Sequence, residues 1–486
     1  MFSGTDGEQL QSIARAGRPR YILQRACNRH GFGEIVENLA AFFTHIFVNG
    51  KKPEYELKER TKTMKIKTNA KTSVTLAAAL LICGANAAAQ APAEKTIYSF
   101  NSNGSGAEPI TGLLKKNGVL YGTSAQGGGG SVYSLSRASA GAPWTEKLLY
   151  SLPANEGNTL FVALTGDDNV LYAASYEGGS LQLGMVISLT PPASPGGTWT
   201  PSVLYNFTGG STDGYYPTAL IAHDGVLYGT TQYGGTSNSG VAFSLTPPAS
   251  PGGAWTEAVL HNFTGGSDGG FPNGLTAGAD GILYGTALFG GYANFGVVFL
   301  LAPPASPGGD WTEHMLYSFK SGTDGEGPRS VTIGSGGVLY GTTSNGGSQP
   351  GVNCGEGCGT VYSLTPPASP GQGWSETILY TFGGGADGAY PYASVVIGGG
   401  VLYGTTSGGG GVLAPRCYAG CGTVFSLTPP ESAGSAWIES VLHAFKDEGV
   451  DGSNPQTPLL LDGSVLYGTT QLGGTYKYGT VFQVKP

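Results

Sequence analysis

Charge is in short supply in this 486-residue chain: Asp, Glu, Lys and Arg together make up 12% of it. An exposed helix needs a polar, usually charged face opposite its apolar one, so this scarcity speaks against a build from several long helices. Basic residues are scarcer still and unevenly placed. Residues 90–486 hold 11 Lys and Arg against 25 Asp and Glu, whereas residues 1–89 hold 13 against 7. So acidic a body is repelled by nucleic acid and by anionic membrane surfaces, which removes both from the expected partners. The apolar run from Val74 to Ala85 is too short and too Ala-rich to span a bilayer. Cysteine is sparse as well, with 6 in the chain.

Glycine is abundant, at 84 residues, and implies many turns. Residues 64–89 have the layout of a secretory signal peptide: Lys65, Lys67 and Lys71, then the apolar run, then Ala87, Ala88 and Ala89. Cleavage is expected after Ala89, leaving no membrane span. Lipidation at Cys83 is disfavoured by the bulk of Ile82 before it. Residues 1–63 precede that signal and are read as a gene-start artefact or a disordered leader. The alternative is a small segment with one amphipathic helix over 37–48.

The block LYGTT recurs, with its tyrosine at Tyr121, Tyr172, Tyr228, Tyr284, Tyr340, Tyr403 and Tyr467, at spacings of 51, 56, 56, 56, 63 and 64 residues. Such a period means a solenoid or a propeller. Each unit holds four short β-type runs, which in the third are PTALIA, VLYGTT, GVAFSLT and WTEAVLHNF. Seven units of four strands predict an all-β fold over 90–486, a seven-bladed β-propeller of four-stranded antiparallel blades with the leader outside it. The ends are out of phase in a complementary way. The body opens with KTIYSF, a fourth-strand motif, and stops at GTVFQVKP, a third-strand motif. Lys95–Phe100 is therefore expected to complete the last blade and close the ring. The connector SLTPPASPGG ends the third strand with prolines and lets the chain reverse at its glycines.

LYGTT-x-x-GG followed by G-T-V-F-S-L, repeated over about 95–486, resembles the bacterial GloVer (Gloeo/Verruco) tandem-repeat family. That resemblance implies secretion or surface display, often with a C-terminal anchor, and brings no settled activity with it. No hydrophobic tail follows the last strand here, so the anchor is not expected.

Loops joining second to third strands, and each blade to the next, fall on one face and vary most, so a binding site is expected there. Asp213, Asp268, Asp324, Asp387 and Asp451 recur in a DGxxP turn. They either make the turn through local hydrogen bonds or form an acidic ring, for which Ca²⁺ would be the natural ion; no cofactor is expected. GGSDG at 265–269 formally matches a nucleophile elbow, but the equivalent loops read GSTDG and GGADG and no helix follows to strain the serine. His223, His261, His314 and His443 are scattered through the repeats and offer neither a triad base nor a multi-His metal site. Cys354 with Cys358, and Cys417 with Cys421, are expected as two local disulfides of an exported protein. A zinc site across both loops is the other reading, although C-x₃-C is wider than usual for zinc. The six tryptophans share one repeat position and read as inter-blade packing.

Aromatics that break the pattern say more. Tyr215, Tyr216, Phe271, Tyr390 and Tyr392 flank the DGxxP turns, and Arg329 alone is basic just after one of these prolines. With Asp324 and Glu326 they form the candidate ligand-binding set, and no residue is assigned as catalytic. The expected function is a secreted, monomeric, non-catalytic module binding an extracellular glycan or protein surface. The alternatives are an enzyme acting on a polysaccharide through Asp324, Glu326 and Arg329, and a purely structural envelope protein.

Overall fold

The computed structural model describes residues 54–59, 62–67 and 93–486, less 102–105, 127–129, 153–160, 168–169, 195, 251, 307, 348–353, 370–371, 412 and 433–434. The chain divides into two compact units, Met1–Ala91 and Pro92–Pro486. In the first, Glu54–Glu59 pairs antiparallel with Lys62–Lys67. The helix expected over 37–48, the signal-peptide core from residue 68 onward and Cys83 lie outside the described residues.

The second unit is a ring of seven four-stranded antiparallel blades, and its described residues contain no helix beyond two 3₁₀ turns. Blade three is typical: Gly214–His223, Val226–Gly234, Val241–Thr246 and Thr256–Asn262 follow one another as a simple meander. First strands contact each other from blade one to blade five and between blades six and seven, as the innermost strands of a propeller do. Third strands are buried on both faces, all but the last residue of Val241–Thr246, as expected where every sheet is covered twice. Fourth strands lie outermost. In blade seven Ala93–Ser99 supplies that fourth strand, paired with Thr480–Lys485 from Ala93 opposite Lys485 to Ser99 opposite Thr480, so the ring closes as the phase of the repeats requires.

Two aromatic contacts repeat at the blade interfaces. The phenylalanine ending one fourth strand meets the aromatic of the next blade's third strand, as in Phe207–Phe243 at 5.1 Å and Phe263–Phe299 at 4.9 Å. The LYG tyrosine meets the next blade's tryptophan, from Tyr172–Trp255 at 5.9 Å to Tyr284–Trp374 at 6.4 Å. Trp144 does the same for Tyr467 across the closure. The tryptophans are thus packing residues.

The glycine of LYG follows from the same packing. Gly229 pairs with Phe243, and a β-carbon on it would enter the Phe243 ring. Gly122, Gly285, Gly341, Gly404 and Gly468 stand under Tyr133, Phe299, Tyr362, Phe425 and Phe482 in the same way. Blade two carries Ala173 at that place, and its partner is Ile187. Loss of the ring and gain of the methyl go together.

Tyr133 and Tyr362 sit where blades three, four, six and seven have phenylalanine, fully buried, and neither hydroxyl has a hydrogen-bond partner. Nothing in the structure explains the extra oxygen. An unsatisfied buried hydroxyl destabilises by about 1–3 kcal/mol, so Tyr362→Phe is expected to raise the urea midpoint, by about 1 kcal/mol of stability. A lower midpoint would show that the hydroxyl is satisfied.

Candidate ligand-binding face

Each DGxxP turn is fixed by its aspartate. Asp213 accepts from Thr208 N at 2.7 Å, Thr208 Oγ1 at 2.8 Å, Tyr205 OH at 3.0 Å and Gly214 N at 2.6 Å. Asp268, Asp387 and Asp451 accept from their own turns likewise. Asp324 accepts from Lys320 N at 2.7 Å and Tyr317 OH at 2.6 Å. These are the bonds that the turn-making role demands.

The residue before the proline then adopts a left-handed backbone: φ is 59° at Tyr216, 56° at Phe271, 63° at Gly327, 58° at Tyr390 and 60° at Asn454. An inter-blade latch imposes it. The N–H of this residue donates to a carbonyl of the preceding blade, from Tyr216 to Leu183 at 2.8 Å, Phe271 to Ser239 at 2.9 Å and Tyr390 to Cys358 at 2.8 Å. The proline packs on a positive-φ glycine there; a β-carbon on Gly240 would come within 2.7 Å of Pro272 Cδ. Glycine and asparagine take such a backbone easily, whereas a residue with a bulky side chain is destabilised by roughly 1–2 kcal/mol. Three blades nevertheless place a large aromatic here.

Two of those aromatics, Tyr216 and Phe271, join a band. Tyr176 stacks on Tyr216 at 4.6 Å and Tyr215 on Tyr233 at 5.4 Å; Tyr233 meets Phe271 at 4.9 Å, and Phe271 meets Phe289 at 5.4 Å. Beside Phe289 opens a cleft of about 460 Å³, lined by Phe295, Glu326, Arg329, Asn345 and Glu356 among others. A second hollow of about 390 Å³ shares Phe295, Glu326 and Glu356 with it. At the wall of the cleft, the Arg329 guanidinium lies 4.6 Å over the Tyr392 ring, which stacks on Tyr390 at 6.5 Å. Burial pushes the Arg329 pKa down, and proximity to Tyr392 opposes this.

Of the residues singled out from the sequence, Tyr215, Tyr216 and Phe271 lie in the band, Glu326 and Arg329 line the cleft, and Tyr390 and Tyr392 flank it. Asp324 is held by its own turn and does not line the cleft. Tyr176 and Glu356 were missed. Glu356 sits inside the ring closed by the Cys354–Cys358 disulfide, and Cys417–Cys421 closes its counterpart in the next blade. An unrepeated acidic residue between two cysteines was the available signal.

A second charged arrangement lies between blades. Glu257, Glu313, Glu376 and Glu439, in fourth strands, each have one carboxylate oxygen buried without a partner. Burial, and then the aspartate of the preceding blade's turn, push each of them up to about 7. The folded state therefore holds these protons more tightly than the unfolded chain, so their contribution is complete below about pH 4.5 and is lost as pH rises through about 7. With solvent screening of these half-exposed groups, the loss is roughly 0.5–1 kcal/mol per pair. The melting temperature should be lower at pH 8 than at pH 5.5, and the quadruple Glu→Gln variant should flatten the difference. An unchanged slope in that variant would refute the assignment. At the closing seam, Glu94, His443 and Asp451 bring ligand-type atoms within 4.8 Å of one another, and His443 Nε2 is 3.2 Å from Asp451 Oδ1.

No helix among the described residues is long and apolar enough to cross a membrane. No curated protein is significantly similar to the chain. Among solved structures, the extracellular domain of BT4673 of B. thetaiotaomicron, described as a hybrid two component system, aligns with a TM-score of 0.49 at 12% identity, over 82% of this chain and 42% of its own. The chain thus spans less than half of that structure. The WD40 β-propeller domain of Doa1 aligns at 0.46 and 10% identity, over 80% of this chain and 96% of its own. Trypanosoma rangeli sialidase aligns at 0.41 and 11%, over 82% and 60%. At these levels none of the three lends this chain a ligand or an activity. The model of the Gloeobacter/Verrucomicrobia repeat matches residues 86–243, 130–355 and 351–486, so the chain belongs to the Gloeobacter/Verrucomicrobia repeat family.

Proposed function

We propose that this propeller is an extracytoplasmic, non-catalytic binding module whose ligand, a glycan, lies along the aromatic band of the variable-loop face. One observation carries the reading: Tyr216, Phe271 and Tyr390 occupy left-handed positions that Gly327 and Asn454 fill at lower energy in neighbouring blades. Strain retained at a surface position is a mark of use. Flat aromatic planes in sequence suit the apolar faces of sugar rings, while backbone and hydroxyl groups between them suit sugar hydroxyls. The two disulfides and the signal-like stretch at 64–89 support an oxidising compartment outside the cytoplasm.

Tyr390→Asn separates this reading from a packing role, because asparagine is what blade seven uses at the same place. Glycan-array and polysaccharide pull-down affinities of the full chain are expected to fall at least tenfold, while the melting temperature holds or rises. Retained binding with a lowered melting temperature would make Tyr390 a packing residue and defeat the proposal. Binding to protein surfaces alone would replace the glycan by a protein partner.

A hydrolase or lyase is the second reading, favoured by one observation: Glu326 and Glu356 line one cleft together with Arg329. Product analysis on each polysaccharide hit decides it, shortened or unsaturated chains meaning an enzyme and intact polymer a binder.

A further inference from the structure

We infer that the Arg329 cleft selects glycans in which an isolated oxyanion sits among neutral, hydroxyl-rich sugars. This rests on the glycan-binding reading above and adds the ligand's charge pattern to it.

The position of Arg329 has an ordinary use elsewhere in the repeat. In blade three Thr218 follows Pro217 and donates to Pro272 O of the next blade at 2.6 Å. In blade four Asn273 follows Pro272 and donates to Pro328 O at 3.1 Å. A short neutral donor therefore satisfies the fold at this place, on the first strand of its blade. Blade five departs from it. Arg329 lies on the ring of Tyr392, the residue after the next blade's proline, and its Nε is buried with no hydrogen-bond partner. Among the described residues no carboxylate forms an ion pair with it.

A half-buried guanidinium whose Nε is out of water without a partner is unfavourable, and nothing in the packing requires the charge. A ligand oxyanion supplies what is missing, and the planar fork of arginine fits a carboxylate or sulfate with two parallel bonds. The same cleft is also lined by Glu326 and Glu356. Both accept hydrogen bonds from sugar hydroxyls, and both oppose a second negative charge close to the first. The acidic balance of residues 90–486 acts in the same sense over longer range. One anion per few sugars is accommodated, and a densely charged polymer is turned away.

The test uses affinity electrophoresis and calorimetry on the purified full chain, with unsulfated chondroitin (alternating uronate), κ-carrageenan (alternating sulfate), polygalacturonate (a charge on every sugar) and dextran (neutral). At least one alternating polymer should bind ten times more tightly than polygalacturonate and dextran; chondroitin alone would identify a carboxylate, carrageenan alone a sulfate. Arg329→Thr, the residue blade three uses, should abolish that preference with the melting temperature unchanged, and Arg329→Lys should restore only part of it. Equal binding of polygalacturonate, or unchanged affinity in Arg329→Thr, overturns the inference. If dextran still binds and Tyr216→Ala or Tyr390→Asn removes that binding, the glycan-binding face stands and only its charge selectivity falls. Silence with every polymer, or binding only to protein surfaces, removes both.

Discussion

Deleting residues 93–100 is expected to abolish the closed propeller, the largest effect of any change considered. The deletion removes the whole fourth strand of blade seven and leaves Thr480–Lys485 as an unpaired edge. It also removes Phe100, fully buried and packed edge-on against Tyr133 of blade one at 4.9 Å. Loss of a buried phenylalanine alone destabilises by about 3–5 kcal/mol, and the ladder bonds add to it. Set against a usual total of about 5–15 kcal/mol, little stability remains. The exposed edge is in addition a template for association between chains. Sedimentation and thermal melting of the purified variant would show aggregate, or a melting temperature lowered by more than about 10 °C. A second variant guards against trivial misfolding. Joining Ala93–Phe100 after Pro486 through the repeat's own SLTPPASPGG connector turns blade seven into a standard meander, and should restore the wild-type melting temperature. If the simple deletion melts like the parent, the closing strand is dispensable and the phase of the repeats has been misread as architecture.

That closure was legible because it depends only on order: a spare fourth-strand motif at one end and a missing one at the other. The tryptophans were legible for the same reason, since a residue that recurs once per unit in all but one blade is bound to serve the unit. Arg329 could be picked out by its departure from the repeat, but its relation to Tyr392 could not, because the two lie in different blades. Asp324 was picked out for the opposite reason. It drew notice through its neighbours Glu326 and Arg329, and in the structure it is one of five aspartates that make the same turn. Glu356 entered on an insertion whose one counterpart, the Cys417–Cys421 loop, carries Ala419 in its place, and the left-handed backbone at Tyr216, Phe271 and Tyr390 leaves no trace in composition. The Asp–Glu pairs between blades were invisible too, since each joins a loop to a strand of the next unit. What the sequence concealed is almost wholly inter-blade: periodicity defines a unit and is silent about the register of one unit on the next.

The glycine–aromatic pairing within a blade, and the aromatic's contact with the blade before it, can be tested from inside the core. In Gly229→Ala the new methyl would meet both the Phe243 ring and, at 2.6 Å, the carbonyl oxygen of Ala219. Overpacking of this kind destabilises by about 1–3 kcal/mol, and the rigid sheet on either side puts the expected value near the upper end. Blade two shows how the strain is relieved, for there Ala173 lies opposite Ile187. Phe243→Ile alone should destabilise as well, because Phe243 is fully buried and packs on Phe207 of the preceding blade at 5.1 Å. The double variant Gly229→Ala/Phe243→Ile is expected to be more stable than the sum of the two losses by at least about 1 kcal/mol, the range of coupling found between residues in contact. It should remain below the parent, since the stack on Phe207 is gone. Blade two removes that residual loss by matching Ile187 with Leu152 in the same apolar cluster, so adding Phe207→Leu should recover part of it. Urea unfolding of the single, double and triple variants measures each step. Strict additivity would mean that glycine is needed at Gly229 for its backbone freedom or for the Ala219 carbonyl alone, and that the ring above it is incidental.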